Sequence, residues 1–435
     1  MNSIGIAFAT VSALLMLTLP RRWAILPLIL SAAYMTHGQA LEIAGANFTM
    51  PRIVVAVGFL RVLLRGEHIA GGFVALDRLV LFWALLLVGT STFHDYGALQ
   101  YRSGMVWTEL GSYFLFRIFV QDIEDARRTM KTVTATLVPL AVIMLTEKST
   151  ASNLFASLGY VDAIPPVRDG QVRASGPFAH PILAGTVGAA CIGMGLALWR
   201  GARFRALIGC AAGGAMVYAS ASSGPVLMVA FILLGVACWV MRGHMRSIRW
   251  MAIAGILALA AVMKAPVYFL MARIDIMEGS QGWFRAQLIH SAIEHLSEWW
   301  LTGTDYTRHW MATGIGANDR HTDMTNHFLS MGVMGGLPLL IVFVLVCRAA
   351  FRDVGRSLQT PYVDAQHRFF VWALGAVLFG FVMNFFAITL FDQSAIFFWM
   401  LVATIASIAS QAERAAQTAP PKSGSATEAG YLALQ

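Results

Sequence analysis

Three short segments hold residue types that could act on an anionic substrate. RDGQVRASGPFAHPIL, residues 168–183, carries Arg168, Arg173 and His180, with Gly176, Pro177 and Pro181 shaping the backbone between them. RIDIMEGSQGWFR, residues 273–285, carries Arg273 and, behind a Gly-Ser-Gln-Gly stretch, Arg285. HTDMTNHFLSMGVMGG, residues 321–336, sets Asp323, Thr325, Asn326 and His327 ahead of an apolar helix that runs on through Gly332, Gly335 and Gly336. Guanidinium forks take phosphate oxygens two at a time and stay charged at a low-dielectric boundary, so the arginines suit a diphosphate. A histidine or a carboxylate at the mouth of a helix can take a proton from a hydroxyl. Plain structural alternatives stand beside these roles. Arg168 can pair with Asp169, Arg173 can meet lipid headgroups, and Asp323 or Thr325 can cap the helix whose first turn holds His327.

The elements that must position these residues are set by composition. The 435 residues are 57% hydrophobic and 12% charged, with a mean hydropathy of +0.66. Globular domains are about a quarter charged. Apolar stretches run approximately over 3–20, 23–36, 52–64, 77–94, 104–121, 130–147, 180–199, 204–220, 224–241, 249–270, 326–347, 368–390 and 394–410. A spanning helix needs about 20 such residues. Two of the stretches are short, so the expectation is an all-α polytopic bundle of twelve or thirteen transmembrane helices in one domain, 1–410. A Pro/Ser/Ala-rich tail, 411–435, is expected to be disordered. A soluble enzyme, a disulfide scaffold and a single-anchor protein are excluded.

The net charge of +8 follows the connections. Arg21-Arg22, Arg65, Arg127-Arg128-Lys131, Arg200-Arg203-Arg205, Arg242-Arg246-Arg249 and Arg348-Arg352-Arg356 fall on alternate loops. By the positive-inside rule those loops and the tail are cytoplasmic, which accounts for the basic excess without nucleic acid as a partner. Met1–Pro20 lacks a basic leader and reads as a retained first helix that starts outside. Two outward connections are long, about 147–179 and 271–325, and they hold all three segments. Within the second, WFRAQLIHSAIEHLSEWW from Trp283 to Trp300 repeats apolar residues at helical spacing, which predicts one amphipathic helix at the outer membrane surface or capping the bundle. The four cysteines lack CxxC spacing, so neither a disulfide framework nor a metal centre is expected, and no cofactor is called for.

Taken together the three segments resemble the O-antigen ligase and polymerase superfamily. RASGPFAHPILAG is similar to its R-x-S-G-x-F-x-x-P stretch, GWFRAQLI to its G-R-x-x-x-W region, and TNHFLSMGVMGGLPLL to its H-N-x-Y-L…G-x-x-G helix. Motif order, the long outer loop and the helix number agree over most of the chain. With Asn326 and Leu329 aligned, Thr325 stands where that family has its catalytic histidine, and His327 lies two residues on. Ser222-Ser223 stands where it has Ser-Arg, and Arg285 carries over directly. The resemblance implies a GT-C-like membrane glycosyltransferase of the bacterial inner membrane, working at the periplasmic face without metal. Its donor would be an undecaprenyl-diphosphate-linked oligosaccharide, and its acceptor lipid A-core or another lipid-linked repeat unit. Arg285, His327 and Arg173 would be catalytic, with Arg168, His180, Arg273, Asp323, Thr325 and Asn326 binding substrate. Rival readings are a flippase or exporter of lipid-linked glycan and a non-catalytic scaffold. Transport is disfavoured because acidic residues are almost absent from the spans; Glu109 is the main exception, and Asp392 sits at a helix end.

Overall fold

The computed structural model describes residues 1–43, 45–273, 282–311, 320–359 and 364–418, the side chains of 416–418 excepted. Fifteen α-helices make up most of it. They are α1 Ser3–Thr18, α2 Ile25–Tyr34, α3 Met50–Arg65, α4 Ala75–Ser91, α5 Tyr96–Phe119, α6 Ile123–Thr150, α7 Pro181–Ala197 and α8 Arg203–Ser220. There follow α9 Ser223–Ala237, α10 Met245–Val262, α11 Gly282–Glu294, α12 Leu296–Trp299, α13 His327–Gln359, α14 Ala365–Asn384 and α15 Ala395–Thr418. Each of the thirteen apolar stretches coincides with one of these helices. Polar residues start several of them: Asn2, Asp95, Asp122 and Asp364 accept the first free N–H groups of α1, α5, α6 and α14.

Among the described residues, five helices are long and apolar enough to cross a membrane: α6, α10 with the turn before it, α13, α14 and α15. α1, α7 and α9 are shorter apolar helices. α10 makes the solvent argument by itself. None of its residues is buried, and Ile253, Ile256 and Leu257 stand out from the molecule. A helix apolar all round and uncovered by protein belongs in lipid. The chain is a multi-pass helical membrane protein.

α15, buried along residues 395–410, and α7 run through the interior of the bundle, while α9 buries only Gly224, Pro225, Met228 and Ile232. α7 and α8 approach closely because Gly188 lets Met216 and the backbone of Gly213 lie where a side chain would be. Small residues at a contact are how membrane helices gain dispersion energy without help from water. Below α4, the buried Arg117 guanidinium meets both oxygens of the buried Asp77 at 2.8 and 2.9 Å.

Connections expected on opposite sides gather at opposite ends. At one end Arg21 bonds Phe119 O and Asp125, His367 meets Glu124, and Arg356 meets Glu413. At the other, Gln39 reaches Leu158 O, Asp392 reaches Ala179, His94 and Arg102 pair with Asp305, and Thr389 donates to Met324 O.

Four details differ from expectation. The helix predicted over Trp283–Trp300 is two helices, broken at His295. Leu288, Ala292 and Trp299 pack with Trp310, Met311 and Val333 into a second small core, while Trp283, Ile293, Leu296 and Trp300 stay exposed. The helix through Gly335 and Gly336 is interrupted there, with Gly336 at φ +74°. The freed backbone groups are taken up by the outer loop: Thr304 N–H donates to Val333 O at 2.9 Å and Leu337 N–H to Trp300 O at 2.8 Å. Residues 411–418, predicted to belong to the disordered tail, are the last turns of α15, with Glu413 on Arg356; residues 419–435 of that prediction lie outside the described set. Two unforeseen antiparallel hairpins sit at the end where the long loops gather, β1 Ala40–Ile43 with β2 Ala46–Thr49, and β3 Val167–Arg168 with β4 Gln171–Val172.

Candidate functional site

A cavity of about 450 Å³ opens at the end where the long loops gather. Its wall takes Arg168, Arg173 and His180 from the first segment, Arg285 from the second and Asp323 and Thr325 from the third. Asp169 and Gln171 of the first segment, Ser222 and Ser223 from the short α8–α9 turn, and Thr389 complete its polar lining. Side chains more than a hundred residues apart thus face one space.

The first segment is shaped by a two-residue turn. Asp169 and Gly170 are both left-handed, φ +49° and +71°, and Arg168 pairs with Gln171 across them. Asp-Gly is the pair that such a turn favours, because its twist matches that of the flanking strands. Arg168 lies at the mouth, with Nε 3.6 Å from Asp169. Arg173 follows the hairpin, its N–H on Pro166 O, and the next N–H, of Ala174, bonds Ala219 O at the end of α8. That seam brings Arg173 Nη2 to 2.9 Å from Ser222 Oγ, which itself donates to Ser220 O.

The stretch from Ser175 to His180 is held from beneath. The buried carboxylate of Glu147 accepts the N–H groups of Ser175 and Gly176, both at 2.9 Å. Asn153 donates to Gly176 O, Gln393 to Pro177 O, and Asp392 accepts from Ala179 N–H. Gly176 needs its freedom here: φ is +56° and Leu140 and Met144 pack where a side chain would begin. The loop ends at His180, whose Nδ1 accepts the Ile182 N–H at 3.2 Å and so caps α7. Nε2 therefore carries the ring proton and is the donor. Burial, with Arg173 nearby, pulls the imidazole down to about 4, which keeps it neutral.

Arg285 sits in the first turn of α11, half-buried. Burial and the neighbouring Arg168 both oppose its charge, and Asp323 favours it. Burial raises the Asp323 carboxyl, and Arg285 offsets part of that rise. Arg173 is likewise lowered by burial and by Arg168, against Asp169. The cavity holds three guanidiniums against two carboxylates. The buried Nε donors of Arg173 and Arg285 have no acceptor among the described residues. Donors left without acceptors at low dielectric are costly, and a ligand with several anionic oxygens would satisfy them.

The remaining predicted residues are not on this wall. Asn326 caps α13, its Oδ1 accepting from Leu329 N–H at 3.1 Å. The His327 ring is buried between Phe343 and Phe385, with centroids 5.1 and 4.6 Å away, and the residue's backbone N–H donates to Phe385 O. Arg273 is exposed at the end of the short helix Val267–Arg273, and residues 274–281 of its segment lie outside the described set. Thr325 lines the cavity, its hydroxyl without a partner among the described residues. Sequence reasoning missed Ser222 as the partner of Arg173, Thr389 on the wall, and the supports Glu147, Asn153 and Gln393. One signal was available: a carboxylate ending an apolar span, as at Glu147, needs donors. No protein-family model matches the chain, and no curated protein matches it in sequence.

Proposed function

We propose that the chain is a GT-C-like glycosyltransferase of polymerase or ligase type, moving a glycan from a lipid diphosphate carrier at the periplasmic face of a bacterial inner membrane. The observation that carries this reading is the convergence of Arg168, Arg173 and Arg285 on one cavity, two of them with buried donors unspent. In this reading the arginines grip the diphosphate. When the sugar–oxygen bond breaks, its electron pair passes to the diphosphate, where preorganised guanidiniums stabilise the developing charge. The acceptor hydroxyl forms the new glycosidic bond and gives up its proton. Of the two carboxylates on the cavity wall, Asp169 pairs with Arg168, so we assign Asp323 the base role that the sequence pattern had suggested for His327. His180, neutral with its proton on Nε2, is a hydrogen-bond donor to sugar or phosphate. The bilayer supplies the donor along the bundle, and no nucleotide sugar is needed. Purified protein given undecaprenyl-diphosphate oligosaccharide should release undecaprenyl diphosphate in step with glycan transfer. Deleting the gene and resolving surface polysaccharide on a gel separates the two types. Free polymer that is no longer attached to core marks a ligase, and single repeat units alone mark a polymerase. Loss of polymer and single repeat units alike, together with lipid-linked donor accumulating on the inner leaflet, would instead mark a flippase.

A further inference from the structure

Ten residues beyond Arg285, where α11 gives way to α12, three side chains with metal-ligating atoms meet outside the cavity. His295, Glu298 and His309 each offer a donor atom, and these atoms lie within 4.8 Å of one another. His309 Nε2 is 3.1 and 3.0 Å from the two Glu298 oxygens. Tetrahedral zinc with bonds of 2.0–2.2 Å holds its ligand atoms about 3.4 Å apart, so a side-chain adjustment of roughly 1 Å closes the set.

The groups around these ligands are arranged as they are around a metal. His295 Nδ1 lies 2.8 Å from Ser291 O. A carbonyl only accepts, so this ring carries its proton on Nδ1 and leaves the Nε2 lone pair free. The Trp310 indole donates to Glu298 Oε2 at 3.1 Å and stacks on His295, with centroids 5.8 Å apart and planes at 21°. Tyr306 stacks on His309 at 5.2 Å. A backbone carbonyl, an indole N–H and two ring stacks therefore fix the orientation of all three ligands. Trp310, 4% exposed, belongs to the small core beneath them, which anchors the group to α11 and α13. The neighbouring pair His290–Glu294, at 3.3 Å on one helix face, is part of no such three-residue group among the described residues.

We propose that His295, Glu298 and His309 bind a divalent transition metal ion, zinc being the best match to two imidazoles and one carboxylate with a fourth position left to water. The ion takes the position between His309 and Glu298, where Nε2 meets the metal through its lone pair and the neutral ring carries its proton on Nδ1. It ties the short turn Arg308–Trp310 to the α11–α12 junction, and so braces the loop between Arg285 and Asp323. The site does not rest on the transferase reading and takes no part in the transfer chemistry.

The test is zinc titration of the full chain in detergent, freed of any oligohistidine tag and pre-treated with chelator, by calorimetry and by competition with a chromophoric chelator. One zinc per chain is expected, at micromolar affinity or tighter. His309→Ala and Glu298→Gln should each weaken it at least tenfold, and His290→Ala should leave it unchanged. Should those variants not fold, the milder His309→Gln and a cobalt(II) spectrum of the wild type, with the strong visible bands of a four-coordinate site, decide instead. A wild type that takes up no stoichiometric metal overturns the proposal, as does affinity indifferent to Glu298 and His309.

Discussion

At the scale of single residues, the transferase reading gives the arginines the diphosphate and Asp323 the proton. Arg285 presents a fork, and Lys presents a point. Arg285→Lys should therefore retain part of the transfer rate. Arg285→Ala should lose about 2–4 kcal/mol of transition-state stabilisation, roughly 30- to 1000-fold in kcat/KM, with membrane insertion intact. Wild-type rates in correctly inserted Arg285→Ala protein would remove the diphosphate role. Asp323 makes a pH prediction whose sign is fixed. Burial raises its carboxyl above the usual range against the pull of Arg285, and only the ionised form can take a proton. Activity should then rise with pH through that elevated value, so the acid limb of the kcat/KM profile lies above where a free aspartate titrates. Asp323→Asn should lower the plateau by 10²- to 10⁴-fold, on the order of a general base's contribution, and abolish the limb. Loss of rate with the limb unmoved would assign Asp323 a structural place beside Arg285.

At the scale of elements, function depends on where helices stop. Two such stops build the outer end: the Asp169-Gly170 hairpin that sets Arg168 and Arg173, and the break in α13 that receives the loop from Trp299 to Thr304. Gly336 combines φ +74° with a Leu301 carbonyl standing where a Cβ would go. Gly336→Ala should cost about 1–3 kcal/mol from the backbone conformation alone, with the displaced carbonyl adding to it. The damage should be local, with loop residues 299–311 becoming open to protease while α13 still inserts. A Gly336→Ala protein as protease-resistant as wild type would mean that the loop docks by side chains alone. The pattern of a continuous apolar helix hid this break, because Gly-Gly-Leu-Pro reads as apolar and breaking alike.

At the scale of the whole molecule, the bundle sorts its loops to two ends, and the transferase reading places the cavity end outside. With the native cysteines replaced, Ile164→Cys and Tyr306→Cys, both exposed, should react with a membrane-impermeant maleimide in intact cells that have a permeable outer membrane. Arg203→Cys and Arg352→Cys should react only after lysis. The reverse pattern would put every cavity residue in the cytoplasm and end the periplasmic assignment. The same experiment reaches α10, whose residues should resist aqueous label along their length because lipid is what covers them.

The sequence by itself determined the solvent of this protein and the positions of its helices. Runs of apolar residues long enough to bury every backbone group internally leave helix as the only affordable state, so all thirteen stretches were legible. It also showed which segments carry arginine, histidine and aspartate. Which of those side chains share a space was decided by tertiary structure. Arg173 meets Ser222 because Ala174 pairs with Ala219 across two helices. Ser175–His180 faces inward because Glu147 and Asp392, distant in sequence, hold its N–H groups. His327 and Asp323 are four residues apart, yet one is caged by phenylalanines and the other looks into the cavity. A helix starts between them, and the direction of its first turn depends on what it packs against. Local spacing could not decide that, because the packing partners, Phe343 and Phe385, lie elsewhere in the chain.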